Sequence, residues 1–233
     1  MIDTGLGLPD RGFLEHLGSV LDPADVRWIW LTHPDRDHTG ALFDLLDAAP
    51  RAAGHDLRRR GIMATEHRLP MDRLYFLNPG QSLDVGDRTL VAFRPPLFDN
   101  PATVGFHDPR SGACFTSDCF GAPLASAADA CAEDVSAIAP AELSSRQLLW
   151  ASIDSPWVHT ADPAKFDRTL EPLAAFEPSA ILSTHLPPAI ARTEAFLATA
   201  RTAPAITPFI GPDQHALEQM LRQFEPAGTT SAA

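Results

Sequence analysis

The stretch from Thr32 to Gly40 reads THPDRDHTG and places four possible metal ligands within six residues: His33, Asp35, Asp37 and His38. Neutral imidazole combined with carboxylate is the usual donor set for zinc, iron or manganese. Because the four side chains are so close in sequence, they cannot all reach one ion without strain. Two ions that share the loop are the simpler prediction, and a carboxylate from elsewhere could bridge them.

The same loop has a second interpretation as the start of a helix. Leucines at helical spacing follow it, and the helix is expected to stop before Pro50. Asp37 or Thr39 could therefore cap this helix by accepting hydrogen bonds from backbone N–H groups. The loop by itself leaves both interpretations open.

Ligand-type residues recur at the ends of other predicted strands. The apolar run 26–31 precedes His33, a short strand over 113–117 ends at Asp118, and another over 180–184 ends at His185. A rigid sheet can hold such side chains together while its loops admit a substrate. A hairpin over 82–93 and an amphipathic helix after Pro212 complete the clearest elements.

The bulk composition narrows the function classes. The net charge of −12 argues against sequence-independent binding to nucleic acid. We see no apolar run of about 20 residues for a membrane span and no secretion signal, so we expect no membrane association and a cytoplasmic location. The three cysteines include no Cys-x-x-Cys pair, which disfavours both a disulfide framework and a thiolate zinc site.

The pattern Thr-His-x-Asp-x-Asp-His-x-Gly resembles the signature of the metallo-β-lactamase superfamily. Matching stretches occur in the expected order at 2–5, 115–118 and 182–185. The resemblance implies an α/β (α+β) fold, a four-layer αββα sandwich with metals at one edge. We expect one domain over 1–226 and a disordered tail over 227–233. Members of the family begin with several strands before the turn at 2–5, so we expect this chain to lack its first strands.

A finer resemblance concerns the branch of the superfamily. Asp35, in place of the histidine that hydrolases of this fold carry, and the segment Ser117-Asp118-Cys119-Phe120-Gly121 are similar to the flavodiiron proteins. By this resemblance His33 and Asp35 hold one ion, Asp118 bridges, and the other ion is held by Asp37, His38 and His185. A carboxylate-rich donor set favours iron over zinc, with manganese also possible.

One ligand departs from the family pattern. The family places a histidine about twenty residues before the bridging aspartate, and this chain has Asp99 there. Asp99 could substitute as a carboxylate donor, and His107 is the other candidate. If neither binds, the centre is mononuclear or degenerate.

Three functions remain open at this stage. The first is a flavodiiron-like protein that binds or reduces O2 or NO and takes electrons from a separate electron-transfer protein. The second is a metal-dependent hydrolase of a lactone, thioester or phosphoester, in which Asp37 is the catalytic residue that orients a metal-activated water. The third is a degenerate, non-catalytic metal-binding module. A homodimer is compatible with each of these three functions.

Overall fold

The three-dimensional structure is a computed structural model that describes residues 1–55 and 71–224. The strands are β1 (Trp28–Trp30), β2 (Ala53–His55), β3 (Leu74–Tyr75), β4 (Ser82–Asp84), β5 (Thr89–Phe93), β6 (Gly105–Asp108), β7 (Ala113–Phe115), β8 (Ala180–Leu182) and β9 (Ala189–Ile190). The α-helices are α1 (Phe13–Val20), α2 (Arg36–Thr39), α3 (Leu42–Ala48), α4 (Ala127–Ala130), α5 (Pro140–Asp154), α6 (Pro163–Ala175), α7 (Thr193–Arg201) and α8 (Gln214–Phe224). Short 3-10 helices cover Pro9–Arg11, Pro23–Asp25, Met71–Arg73, Val135–Ala137, Pro156–Thr160 and Ala203–Ala205.

The strands form two sheets. The first sheet has the order β1-β2-β3 with parallel pairing, and Ile2 adds a parallel bridge to Trp30. The second sheet runs β4-β5-β6-β7-β8-β9 and is antiparallel except between β7 and β8. The parallel pairing makes β7 and β8 end at the same edge of their sheet.

Among the described residues, three hydrophobic clusters separate four layers. In β1, Ile29 packs toward α1 and α3, whereas the next residue, Trp30, packs between the sheets, as the period of two along a strand requires. The ring of Trp30 lies 4.6 Å from that of Phe106 in the second sheet. A third cluster joins the other face of the second sheet to α5, α6 and α7, with Ile181 and Leu170 almost fully buried. The order is therefore helices, sheet, sheet, helices, and the predicted fold class is confirmed.

Hydrogen bonds between the sheets fix the start of the ligand loop. The indole N–H of Trp30 donates to the carbonyl of Val104 at 3.0 Å, and the N–H of Val104 donates to the carbonyl of Thr32 at 2.9 Å. The end of β1 is thereby held against the second sheet, directly before His33.

Most of the predicted elements are present. The hairpin over 82–93 is confirmed at the predicted bounds, and the strand at 26–31 and the two short strands before Asp118 and His185 are confirmed, each two or three residues shorter than the pattern indicated. The single domain over 1–226 stays a prediction, and the tail at 227–233 lies outside the described residues. Within the described residues, no helix combines the length and the apolar character needed to cross a membrane.

Candidate metal centre

The signature loop folds into one helical turn after β1. Asp35 is at the N-cap position of α2, and its side chain makes no capping hydrogen bond. The hydroxyl of Thr39 donates to the carbonyl of Asp35 at 2.9 Å instead of accepting from a backbone N–H. The capping interpretation of this loop is therefore not supported. The turn brings the rings of His33 and His38 to 3.9 Å between centroids.

Asp118 lies between the imidazoles of the loop and that of His185. Its Oδ2 is 3.3 Å from Nε2 of His33. Its Oδ1 is 3.2 Å from Nε2 of His38 and 3.3 Å from Nε2 of His185. One oxygen of the carboxylate thus faces His33, and the other faces His38 and His185. A bridge between two ions requires such an arrangement.

Two further groups lie on either side of Asp118. On one side the ligand atoms of His33, Asp35 and Asp99 lie within 4.8 Å of one another, and Oδ2 of Asp99 is 3.7 Å from Nε2 of His33. On the other side Asp37 completes a group with two histidines: its Oδ2 is 3.3 Å from Nε2 of His38 and 3.4 Å from Nε2 of His185.

The structure therefore brings together all seven residues that the sequence predicts as ligands. Their role as ligands stays a prediction. His107, the alternative to Asp99, is on β6 with its ring stacked on Phe176 at 4.6 Å between centroids, and it belongs to none of the clustered groups among the described residues. His107 is a core residue whose pKa burial lowers.

Backbone and side-chain contacts around His38 set its orientation. Nδ1 of His38 lies 2.8 Å from Oδ2 of Asp3, and Asp3 is held by the backbone N–H and the hydroxyl of Thr32, each at 2.8 Å. A carboxylate on the far nitrogen of an imidazole fixes the tautomer that leaves the other nitrogen free for a metal. On the other histidine of the loop, Nδ1 of His33 lies 3.1 Å from the hydroxyl of Ser117.

Two buried residues beside the centre adopt the left-handed backbone conformation. Asp3 has φ 48° and Ser117 has φ 55°. Such conformations are costly for residues other than glycine and are concentrated where the surroundings require one side-chain position. Here they aim the carboxylate of Asp3 at His38 and turn the chain after β7 so that Asp118 enters the site.

Burial and mutual contacts shift the pKa values of the clustered groups. Burial lowers the pKa of His38, but the nearby carboxylates of Asp118 and Asp3 outweigh that effect and raise it to about 10. Burial opposes ionisation of Asp118, but the nearby imidazoles of His185 and His38 hold its pKa well below the usual range. Burial and the nearby Asp118 raise the pKa of Asp99. Acidic neighbours thus favour positive charge at the position of His38, and a cation that bound there would take the place of that proton.

Three residues around the centre were missed by sequence reasoning. Asp154, the last residue of α5, joins Asp99 and Asp118 in a further group whose oxygens lie within 4.8 Å of one another. Burial and the charge of Asp118 raise the pKa of Asp154 to about 7. Trp150, one turn earlier, lies 4.7 Å from His185 between ring centroids and donates to the carbonyl of Asp118. Asp3 was seen only as part of a turn. No spacing rule links these positions to the signature.

The donor set fits divalent metal ions on two observations. Three imidazoles and four carboxylates converge, which is the chemistry that iron, manganese and zinc accept. In addition, Nε2 of His38 is buried and lacks a hydrogen-bond partner among the described residues, although it points at Asp118 and Asp37. A buried polar atom without a partner is costly, and coordination would remove that cost.

Comparisons with known proteins identify the family of the chain and its similar structures. Residues 1–185 match the family model of the Metallo-beta-lactamase superfamily. Anaerobic nitric oxide reductase flavorubredoxins from Salmonella typhi and Aeromonas hydrophila are 27% and 26% identical over 123 residues, which is 52% of this chain and 26% and 25% of those proteins.

Solved structures give the same fold. Rubredoxin oxygen:oxidoreductase from Desulfovibrio gigas superposes with a TM-score of 0.71 and 19% identity over 86% of this chain and 49% of that one. A structure of the peroxy diiron species of the chemotaxis sensor ODP matches with a TM-score of 0.65 and 16% identity over 86% of this chain and 80% of that one. The chain spans about a quarter of the length of the curated relatives and about half of the Desulfovibrio gigas protein. From the match over residues 1–185 and the fold it implies, this chain belongs to the metallo-beta-lactamase superfamily.

Proposed function

We propose that this protein is a flavodiiron-like metalloprotein that binds or reduces O2 or NO at a dinuclear iron centre. His33, Asp35 and Asp99 would hold one ion, and Asp37, His38 and His185 the other, with Asp118 between them. When bound, the two ions supply open coordination positions and exchangeable electrons for a diatomic gas. Among the curated relatives are nitric oxide reductases, and one solved neighbour is an oxygen:oxidoreductase, which supports this reaction class.

One observation carries the proposal. The carboxylate of Asp118 directs Oδ2 toward His33 at 3.3 Å and Oδ1 toward His38 at 3.2 Å. This arrangement supports a bridge in which each oxygen binds the ion of one half of the proposed centre. The hydroxyl of Thr184 donates to Oδ1 of Asp118 and holds this orientation. A mononuclear site would need no such division of one carboxylate.

The charge of the centre favours an uncharged substrate. Four carboxylates, those of Asp35, Asp37, Asp99 and Asp118, offset the four positive charges of two divalent ions. The loaded centre therefore has no net positive charge to attract a phosphate or carboxylate group. Neutral O2 and NO meet no such electrostatic barrier.

The accessible side of the centre is formed mainly by carboxylates. Asp35, Asp37, Asp99 and His185 are all exposed or partly exposed, whereas the side chains of His33 and His38 are at most 2% exposed. A substrate would therefore approach over the carboxylates and His185, while the buried imidazoles anchor the ions. Trp150 packs on the ring of His185, 4.7 Å away between centroids.

Electrons would come from a separate electron-transfer protein. The name of the Desulfovibrio gigas protein, rubredoxin oxygen:oxidoreductase, pairs a rubredoxin with oxygen. We propose an electron donor of this kind for the present chain.

The three cysteines of the chain are all unpaired in the structure, which accords with a reducing compartment such as the cytoplasm.

Anaerobic loading with Fe2+ tests this function. The loaded protein, supplied with a chemical reductant, should consume O2 or NO, as measured with a gas electrode, and the Asp118→Asn variant should lose this activity. The exposed Asp47→Asn variant removes the same charge from α3 and serves as the control. Iron-loaded protein that consumes neither gas would exclude the proposal.

Hydrolysis is the second candidate, and the position of Asp37 favours it. Asp37 is partly exposed and lies between His38 and His185, where its carboxylate could orient a water molecule toward an ester. The neutral centre makes lactones and thioesters better substrates for such a hydrolase than phosphoesters. Turnover of such esters by zinc- or manganese-loaded protein, abolished in Asp37→Asn, would support hydrolysis over gas chemistry.

A further inference from the structure

Asp154 lies against the candidate metal centre from the helical side of the second sheet. It is the last residue of α5, and the hydroxyl of the next residue, Ser155, donates to its Oδ2 at 3.1 Å. This hydrogen bond fixes the carboxylate at a helix end that packs against the centre. Asp154 is not among the seven candidate ligands of the centre.

The position of Asp154 suits coordination. One oxygen each from Asp99, Asp118 and Asp154 lie within 4.8 Å of one another. Divalent ions bind such oxygens at roughly 2.0–2.2 Å, so three oxygens spread evenly around one ion are about 3.8 Å apart. A contraction of at most about 1 Å in each distance would place all three on a single ion.

The three carboxylates are not an isolated acidic cluster. Nε2 of His33 points at two of them, 3.3 Å from Oδ2 of Asp118 and 3.7 Å from Oδ2 of Asp99. On the other side of Asp118, the buried Nε2 of His38 lacks a hydrogen-bond partner among the described residues. Imidazole nitrogens directed at the same carboxylates indicate a cation as the common partner.

We propose that Asp154 is a further ligand of the half of the centre around His33, giving that ion a set of one imidazole and up to four carboxylates. Such an oxygen-rich set selects harder ions, Mn2+ or Fe2+, over Zn2+ at that half. The inference rests on the metal centre of the proposed function but not on its gas chemistry.

Metal titrations test the assignment. Wild type and the Asp154→Asn variant are titrated anaerobically with Mn2+, Fe2+ and Zn2+ against a chelator of known affinity, and bound metal is counted by elemental analysis. We expect wild type to bind two ions and Asp154→Asn to lose at least about tenfold in Mn2+ affinity at one of them, since even a partner of a ligand contributes that much. Zn2+ affinity should fall less. Asp47→Asn is the matched control.

Visible spectra of Co2+-loaded protein separate a ligand from a neighbour. Loss of one ligand lowers the coordination number of Co2+ and strengthens its visible absorption, so Asp154→Asn should absorb more strongly than wild type while Asp154→Glu should resemble wild type. If Asp154→Asn does not fold, Asp154→Ser is used.

If the titrations and spectra of Asp154→Asn match those of Asp47→Asn, the assignment is overturned. A wild-type protein that binds no metal would overturn it as well. Metal-loaded protein without O2 or NO turnover would refute the proposed function and leave the assignment of Asp154 standing.

Discussion

At the scale of single residues, the centre depends on side chains that hold the ligands as much as on the ligands. His38 is fixed through Nδ1 by Asp3, which in turn receives two hydrogen bonds from Thr32. This chain of contacts leaves Nε2 of His38 directed at Asp118 and Asp37. In the proposed centre, Asp3 would therefore contribute to metal binding without touching the metal.

Replacement of Asp3 by asparagine should weaken metal binding. The amide keeps the shape of the side chain but removes the charge that orients His38, and such losses typically reduce metal affinity by about 10- to 100-fold. Chelator competition with Mn2+ measures the effect. The exposed Asp10→Asn variant should bind like wild type, and equal affinity of the two variants would show that Asp3 has no positioning role.

The sequence alone predicts some residues of the candidate site and not others. Six of the seven predicted ligands follow strands closely or belong to one short motif, so their convergence follows from the sheets that carry them. Asp154 is the last residue of a helix, and the distance from a helix end to a sheet edge is set by packing that no local pattern encodes. Asp99 and His107 could not be separated in sequence because the course of the loop between β5 and β6 decides which of them enters the site.

At the scale of elements, the signature loop is joined to the turn at 2–5 by close backbone contact. The N–H of Thr4 donates to the carbonyl of His38 at 2.7 Å, and the N–H of Gly40 donates to the carbonyl of Gly5 at 2.8 Å. A Cβ atom on Gly40 would lie 2.1 Å from the backbone of Leu6. Only glycine permits this approach, which explains why the motif ends at Gly40.

The Gly40→Ala substitution should therefore destabilise the protein. Forcing the two backbone segments apart is expected to lower the free energy of unfolding by about 1–3 kcal/mol. Urea denaturation followed by circular dichroism provides the measurement. Gly18→Ala is the matched control: a Cβ there meets no atom within 4 Å, and alanine in helix α1 should be neutral or stabilise by up to about 1 kcal/mol. Equal stability of both variants would disprove the close-contact argument.

The hairpin of β4 and β5 is tied to β6 by a buried carboxylate. Burial opposes ionisation of Asp108, but hydrogen bonds from Ser111 at 2.8 Å and Arg88 at 2.9 Å outweigh it and keep its pKa below the ordinary value. Because the pKa of Asp108 is lower in the folded state, its ionised carboxylate contributes fully to the free energy of unfolding above the unfolded pKa of about 3.9. This contribution is lost as the pH falls through the pKa of Asp108 in the folded state.

Asp108→Asn should therefore be less stable than wild type at pH 7, and the difference should shrink as the pH is lowered to 3. Urea unfolding curves at several pH values measure it. The exposed Asp47→Asn variant should keep the pH dependence of wild type. A pH-independent difference for Asp108→Asn would mean that the carboxylate contributes through packing instead of charge.

At the scale of the whole molecule, the candidate ligands connect segments that are far apart in the chain. They come from 33–38, from the loop at Asp99, and from the ends of β7 and β8, and so join the first sheet to the second. The four-layer order was predictable because the family signature implies it. The shortness of the strands was not, because residues beyond the strand ends stay buried: Leu31 after β1 and Thr116 and Ser117 after β7 are at most 1% exposed, so burial does not mark where strand pairing stops.

A metal ion that joins these segments binds the folded chain and not the unfolded one, so it should stabilise the entire domain. At a free Mn2+ or Fe2+ concentration about 100 times the dissociation constant, linkage gives about 2.7 kcal/mol, which corresponds to a rise in Tm of roughly 5–11 °C for a chain of this size. Thermal unfolding with metal and with a chelator measures the shift. Asp118→Asn should retain little of it, because that carboxylate faces both halves of the centre, whereas Asp47→Asn should show the full shift. A wild-type Tm that is unaffected by metal would mean that the clustered side chains hold no cation, and that the two sheets are joined by their apolar interface alone.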